Sequence, residues 1–131
     1  MEEVVIVSAL RTPIGSFGGA FKSLSAVDLG VAVIKEMIQQ TAIDANEISE
    51  VVLGNVLASG FGQNVARQIA IKSDIPKEKT AFTLNMVCGS GLKAVQVGAQ
   101  SILNGDAEVV IAGGTEGRIR WYIEHVYLFR Q

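Results

Sequence analysis

Apolar positions along this chain follow two rhythms: short unbroken runs alternate with stretches where apolar side chains return every third or fourth residue. Residues 4–9 form an unbroken run rich in β-branched side chains, the pattern of a strand buried on both faces. Arg11-Thr12-Pro13 and the glycines Gly15, Gly18 and Gly19 then mark a loop, in which Arg11 and Thr12 read as an ordinary strand-to-loop turn. Ser25-Ala26-Val27-Asp28 has the spacing of a capping box, with Asp28 in place of the usual Glu. Behind it Leu29, Val33 and Met37 share one helical face, with Ile34 and Ile38 beside them. Lys35, Glu36, Gln39 and Gln40 supply the solvated side, and this helix is predicted to run to about Ala42.

The same reading predicts a second strand at residues 50–54 and, after the glycine-bearing loop Ser59-Gly60-Phe61-Gly62, a helix over 63–72. Pro76 and the charged Lys77-Glu78-Lys79 mark a surface loop. Residues 81–86 read as a third strand, Cys88-Gly89-Ser90-Gly91 as a sharp turn, and Leu92, Val95, Ala99 and Ile102 as one helical face ending at Leu103. Asn104-Gly105-Asp106 stops that helix, with Gly105 suited to a left-handed cap. Residues 108–112 are a fourth buried strand, closed by Gly113-Gly114. Strands alternating with helices predict an α/β fold: a layered, mostly parallel sheet with helices on both faces.

Composition narrows the functional classes. Of the 131 residues, 49% are hydrophobic and 18% charged, which suits a packed core and excludes a disordered chain. The net charge of -2 offers no basic field for nucleic acid or an anionic membrane. The acidic N-terminus lacks the basic and apolar regions of a signal peptide, and no apolar run nears the roughly 18 residues of a membrane span. One cysteine excludes an internal disulfide, and the single histidine, His125, is too distant in sequence to suggest a metal site. A cytoplasmic protein is expected.

The chemistry-bearing segment is Leu84-Asn85-Met86-Val87-Cys88-Gly89-Ser90-Gly91-Leu92-Lys93-Ala94. A buried strand ends in a cysteine, and a helix starts at once. A lone cysteine is most often a small buried apolar residue. Here the context places its sulfur at a helix N-terminus, where the positive end of the dipole favours a thiolate. Gly89 and Gly91 allow a tight turn and close substrate approach, and turn N–H groups there can stabilise an oxyanion. A thiolate beside amide donors is equipment for acyl transfer. The segment Val-Val-Ile-Ala-Gly-Gly-Thr-Glu at 109–116 lacks the spacing of a dinucleotide-binding glycine loop.

NMVCGSGLKAV resembles the acyl-enzyme cysteine motif of the thiolase family. VIVSALRTPIGSFGGAF, GNVLASGFGQNVARQ and VVIAGGTE are similar to three further stretches of that family, in register over residues 1–116. The short spacings and the RTPIG opening look like the biosynthetic, acetoacetyl-CoA-forming branch, with the degradative 3-ketoacyl-CoA branch a close relative. The resemblance implies that Cys88 takes an acetyl group from an acyl-CoA thioester. The enolate of a second acetyl-CoA then attacks it, giving acetoacetyl-CoA and free CoA. Acyl-CoA is the implied partner, as substrate; no separate cofactor, metal, nucleic acid or membrane is implied, and the full-length family implies a homo-oligomer. Asn64 and Arg67, in GFGQNVARQ, would support the cysteine loop beside a subunit interface; from the residues alone they read equally as a polar helix start.

The chain also departs from the family pattern. Only the first half-domain of the family's repeated unit, without its last strand, is expected here. The Gly-His-Pro histidine and the second cysteine of the family are not in the sequence, and His125 stands in a different context. After Glu116, residues 117–131 carry half of the chain's aromatic residues and three arginines, and read as either a helix or a strand. The expected organisation is therefore a partial thiolase-like domain over 1–116 and a divergent tail over 117–131 left by truncation or frameshift, inactive in condensation on its own. Two alternatives stand beside this reading. One is a non-catalytic subunit that pairs with a full-length thiolase through GFGQNVARQ, and the other is a related condensing enzyme.

Overall fold

A computed structural model of the chain describes residues 3–117 and 126–130. Trp121, Tyr122 and His125 lie outside the described residues. The elements run β1 (Val5–Leu10), α1 (Ala26–Thr41), a 3-10 turn (Ala45–Glu47), β2 (Glu50–Gly54), α2 (Val65–Lys72), β3 (Thr80–Leu84), α3 (Ser90–Leu103), β4 (Val109–Gly114) and β5 (Val126–Arg130). The predicted alternation is present, with boundaries shifted by a residue or two.

Local chemistry accounts for the helix ends. The Asp28 N–H donates to the Ser25 hydroxyl at 3.1 Å, and the Ser25 N–H donates back to the Asp28 carboxylate at 2.9 Å. Two of the donors that every helix start leaves open are thereby satisfied. α1 ends at Ala42 in the left-handed region, and α3 ends where Gly105 takes φ +80°.

The five strands form one sheet in the order β1-β5-β4-β2-β3. β2 lies parallel to both β3 and β4, whereas β5 is antiparallel to β4 and to β1. β1 therefore points the same way as β4, and β5 alone runs against the rest. Successive side chains alternate faces. Val51, Leu53, Val109, Ile111, Val126 and Leu128 meet α1 and α2 on one face. Val52, Val110, Ala112 and Phe129 meet α3 on the other. Each of these buried side chains except the small Ala112 contributes about 1.5–3 kcal/mol relative to exposure. Among the described residues no helix is long and apolar enough to cross a membrane.

Two expectations are corrected. The sheet does not stop at four strands: residues 126–130, in the stretch whose pattern left helix and strand open, form β5, an interior strand between β1 and β4. β1 is not buried on both faces; Val5, Ile6 and Val7 are 43%, 56% and 43% exposed. β1 is an edge strand, paired only with β5, and a hydrophobic run does not record whether a second neighbour exists.

Candidate active site

β2, β3 and β4 end in register, with Gly54 opposite both Leu84 and Gly114. The first turn of α3 rests on that edge. A Cβ at position 54 would lie 2.5 Å from the Ser90 carbonyl carbon, and one at 114 would lie 3.1 Å from the Gly91 Cα. Glycine at both places lets helix backbone sit directly on sheet backbone. The resulting site lies at the C-terminal ends of parallel strands, where open α/β sheets usually bind ligands.

Cys88 is exposed in the turn between β3 and α3. The chain bends there through Val87, whose φ is +51°. Neither Gly89 nor Gly91 takes a positive φ, so the left-handed angle of the bend falls on Val87. A β-branched residue in the left-handed region costs on the order of 1–3 kcal/mol and persists only where its surroundings hold it. The Val87 N–H donates to the Asn85 side-chain oxygen at 2.8 Å. The Ser90 hydroxyl donates to the Val87 carbonyl at 2.6 Å and accepts from the Met86 N–H at 2.8 Å. Gly89 is the N-cap of α3, and among the described residues no side chain caps this helix start. The Ser90 N–H donates to the Val87 carbonyl at 3.1 Å, and among the described residues the next first-turn N–H groups, of Gly91 and Leu92, are left for another acceptor.

A second loop closes the site from the β2 side. The Glu116 carboxylate accepts from the Val56 and Leu57 N–H groups, each at 2.9 Å. The Asn55 side chain donates to the Thr115 carbonyl at 2.8 Å, and its Oδ1 is buried without a partner among the described residues. The Thr115 hydroxyl donates to the Ala26 carbonyl at 2.6 Å, which ties the end of β4 to the start of α1. Between these loops opens a largely apolar cavity of about 760 Å³, lined among others by Ile6, Leu57, Cys88, Leu92, Glu116 and Tyr127. Among the described residues it thus presents one thiol and one carboxylate beside the start of a helix.

The structure brings Cys88 and Gly91 to this cavity, while Gly89 sits behind them at the N-cap. Asn64 and Arg67 do not line it. Asn64 caps α2, accepting from the Arg67 N–H at 3.1 Å, and it donates to the Ala81 carbonyl of β3 at 2.9 Å. Thr83 bridges the same junction, donating to Asn64 and accepting from the Ala66 N–H. The Arg67 guanidinium reaches the Lys77 carbonyl at 3.4 Å, in the predicted surface loop. Arg11 and Thr12 follow the end of β1, as a strand-to-loop turn. Asn55, Asn85, Val87, Ser90 and Glu116 were not singled out by the sequence. The one available signal was positional: a lone carboxylate directly after a buried strand ending in Gly113-Gly114.

A cysteine at a strand-to-helix bend, over the carboxyl ends of parallel strands in a 3-2-4-5-1 mixed sheet, defines a class: α/β proteins that present a thiol at the start of a helix. Residues 4–122 match the sequence model described as "Thiolase, N-terminal domain". The chain belongs to the thiolase family. It is 55% identical over 116 residues to the acetyl-CoA acetyltransferase of Pseudomonas aeruginosa, covering 88% of this chain and 30% of that one. It is 54% identical over 116 residues to a probable acetyl-CoA acyltransferase of Staphylococcus epidermidis, covering 88% and 29%. Among solved structures, the Acat5 thiolase from Ascaris suum in complex with coenzyme A superposes with a TM-score of 0.84 at 50% identity, covering 86% of this chain and 30% of that one. The Bacillus anthracis acetyl-CoA acetyltransferase superposes with a TM-score of 0.83 at 38% identity, covering 87% and 29%. The chain therefore spans about 30% of the length of the curated relatives it matches.

Proposed function

We propose that this chain carries the acyl-accepting half of an acetyl-CoA acetyltransferase, with Cys88 as the nucleophile. The Cys88 thiolate attacks the carbonyl carbon of an acetyl-CoA thioester. A new carbon–sulfur bond forms to Cys88, the bond to the CoA sulfur breaks, and CoA leaves as a thiolate that takes up a proton. The oxyanion that develops on the carbonyl is met by N–H groups at the uncapped start of α3. The observation that carries this reading is the exposed Cys88 at that helix start, on the rim of a cavity large enough for an acyl group and part of its carrier. The coenzyme A in complex with the Ascaris thiolase supports the substrate class.

Condensation needs a base to form the enolate of a second acetyl-CoA, and general base catalysis contributes about 10²–10⁴-fold. The sequence holds one histidine and one cysteine, neither in the family's second-half motifs. In this reading the 131 residues alone accept an acetyl group but do not condense two, and the base comes from another part of the assembly. The setting is the cytoplasm, where a lone exposed thiol stays reduced, and the assembly holds more than one subunit.

Intact-mass measurement after incubation with acetyl-CoA tests the reading. One acetyl adduct is expected, on Cys88 and lost in Cys88→Ser. A wild-type chain that stays unacetylated while iodoacetamide still reaches the thiol refutes it.

A further inference from the structure

We infer that Ser90 is the positioning residue for Cys88: its hydroxyl holds the left-handed bend at Val87 and so aims the sulfur into the cavity. The functional meaning rests on the acyl-transfer reading above, whereas the geometry stands without it. The Ser90 hydroxyl accepts from the Met86 N–H at 2.8 Å and donates to the Val87 carbonyl at 2.6 Å. It thereby clips together peptide groups on both sides of Val87, the residue at φ +51°. The Ser90 N–H reaches the same carbonyl at 3.1 Å.

Ser90 is itself only 4% exposed. A Cβ at position 54 would lie 2.7 Å from the Ser90 Cβ, so the side chain stands directly on the glycine that ends β2. The clip is therefore anchored to the rigid sheet and not merely to its own loop. A peptide group is planar and trans, so fixing the Val87 carbonyl also fixes the opposed N–H and the Cα of Cys88. A hydroxyl three residues from the bend is, among the described residues, the one side chain bonded to both sides of it. Asn85 supports the bend from one side only, through the Val87 N–H at 2.8 Å.

The test compares the wild-type chain with Ser90→Ala and Ser90→Thr by two independent readouts. The first is the Val87 backbone angle, from the HN–Hα coupling and the Cα shift in isotope-labelled chain. The second is the ratio of Cys88 acetylation by acetyl-CoA to its alkylation by iodoacetamide, a small reagent that needs exposure but little orientation. Ser90→Ala is expected to lose the left-handed signature at Val87 and to lower the ratio about 10–100-fold, the range a small misplacement of a reacting group commands. Ser90→Thr, which keeps the hydroxyl, restores both. A Val87 that stays left-handed in Ser90→Ala, or an unchanged ratio, overturns the inference. A wild-type chain that is never acetylated sinks the acyl-transfer reading alone, and the angle at Val87 then decides the role of Ser90. Should Ser90→Ala not fold, the comparison moves to Val87→Gly with and without Ser90→Ala, since glycine takes a left-handed bend freely. Glycine permits that angle without selecting it, so removing the hydroxyl there still lowers the ratio, and equal ratios overturn the inference.

Discussion

Gly54 and Ser90 meet backbone to backbone, so close that a Cβ at 54 would lie 2.5 Å from the Ser90 carbonyl carbon. This contact seats the start of α3, and with it Cys88, on the end of β2. Neither partner can yield as a flexible side chain would, because both sides of the contact are main chain. Gly54→Ala is therefore expected to destabilise the fold by about 1–3 kcal/mol, the usual cost of overpacking a tight contact. Urea unfolding measures the loss. Gly18→Ala gives no useful control, since φ there is +64°; Ala58→Gly in the exposed loop is a better one and should fall within about 0.5 kcal/mol.

Glu116 holds the loop after β2 by accepting two main-chain N–H groups, those of Val56 and Leu57, each at 2.9 Å. A carboxylate bound by two donors is a charge-assisted arrangement. Glu116→Ala leaves both donors without it and is expected to cost about 1.5–3 kcal/mol. Glu116→Gln keeps an acceptor oxygen and should lose roughly half of that. Chemical denaturation of the three chains orders them wild type, Gln, Ala. If Ala and Gln match the wild type, the loop is held by something other than Glu116.

Ser25 and Asp28 predict a pH dependence of stability. The Asp28 carboxyl lies below its ordinary value of 3.8, first because the Ser25 main-chain N–H donates to it and next because the Ser25 hydroxyl does. A carboxylate whose pKa is lower in the folded state adds stability that is fully present above the unfolded value. That stability is lost as pH falls through the folded value. The advantage of wild type over Asp28→Ala should thus be complete at about pH 6 and shrink as pH falls below about 3.8, toward a residue set by the neutral acid's remaining hydrogen bond. Ser25→Ala should cost about 1 kcal/mol near neutrality, as N-cap losses do. Paired urea titrations at the two pH values check the sign; an Asp28→Ala penalty that grows with acidification contradicts it.

These features were unequally visible in the sequence. Ser25 and Asp28 act within one helical turn, so their spacing showed the start of α1 directly. The left-handed Gly105 was equally local. The class of fold and the position of Cys88 followed from patterns of a few residues and from the likeness of four motifs. The walls of the site did not, because Glu116 and Val56 are 60 residues apart and only parallel pairing of β2 with β4 brings them together. Val87 was hidden for a different reason. Two glycines stand close by, and propensity assigns the left-handed angle to them, whereas it falls on valine, whose N–H donates to Asn85 and whose carbonyl accepts from Ser90. The exposure of β1 is not legible in the sequence because β-branched runs look alike at the edge and at the centre of a sheet.

Leu128 tests whether the last described segment belongs to the domain. It is 0% exposed, lies in β5 opposite Ser8 and Ile111, and packs into the core that α1 and α2 cover. β5 is the sole described neighbour of β1 and the antiparallel partner of β4, so what loosens it detaches β1 from the sheet. Leu128→Ala is expected to cost about 2–5 kcal/mol, as emptying a closed core position does. Against the roughly 5–15 kcal/mol of a whole domain that is a large share. Arg130, two residues on, meets Glu47 at 3.5 Å with both side chains about half exposed, and such pairs contribute at most about 1 kcal/mol. Arg130→Ala should therefore barely move the unfolding midpoint, while Leu128→Ala lowers it steeply. Were the segment a loose appendage, the two substitutions would be equally silent, and hydrogen exchange at β1 would be as fast in the wild type as in Leu128→Ala.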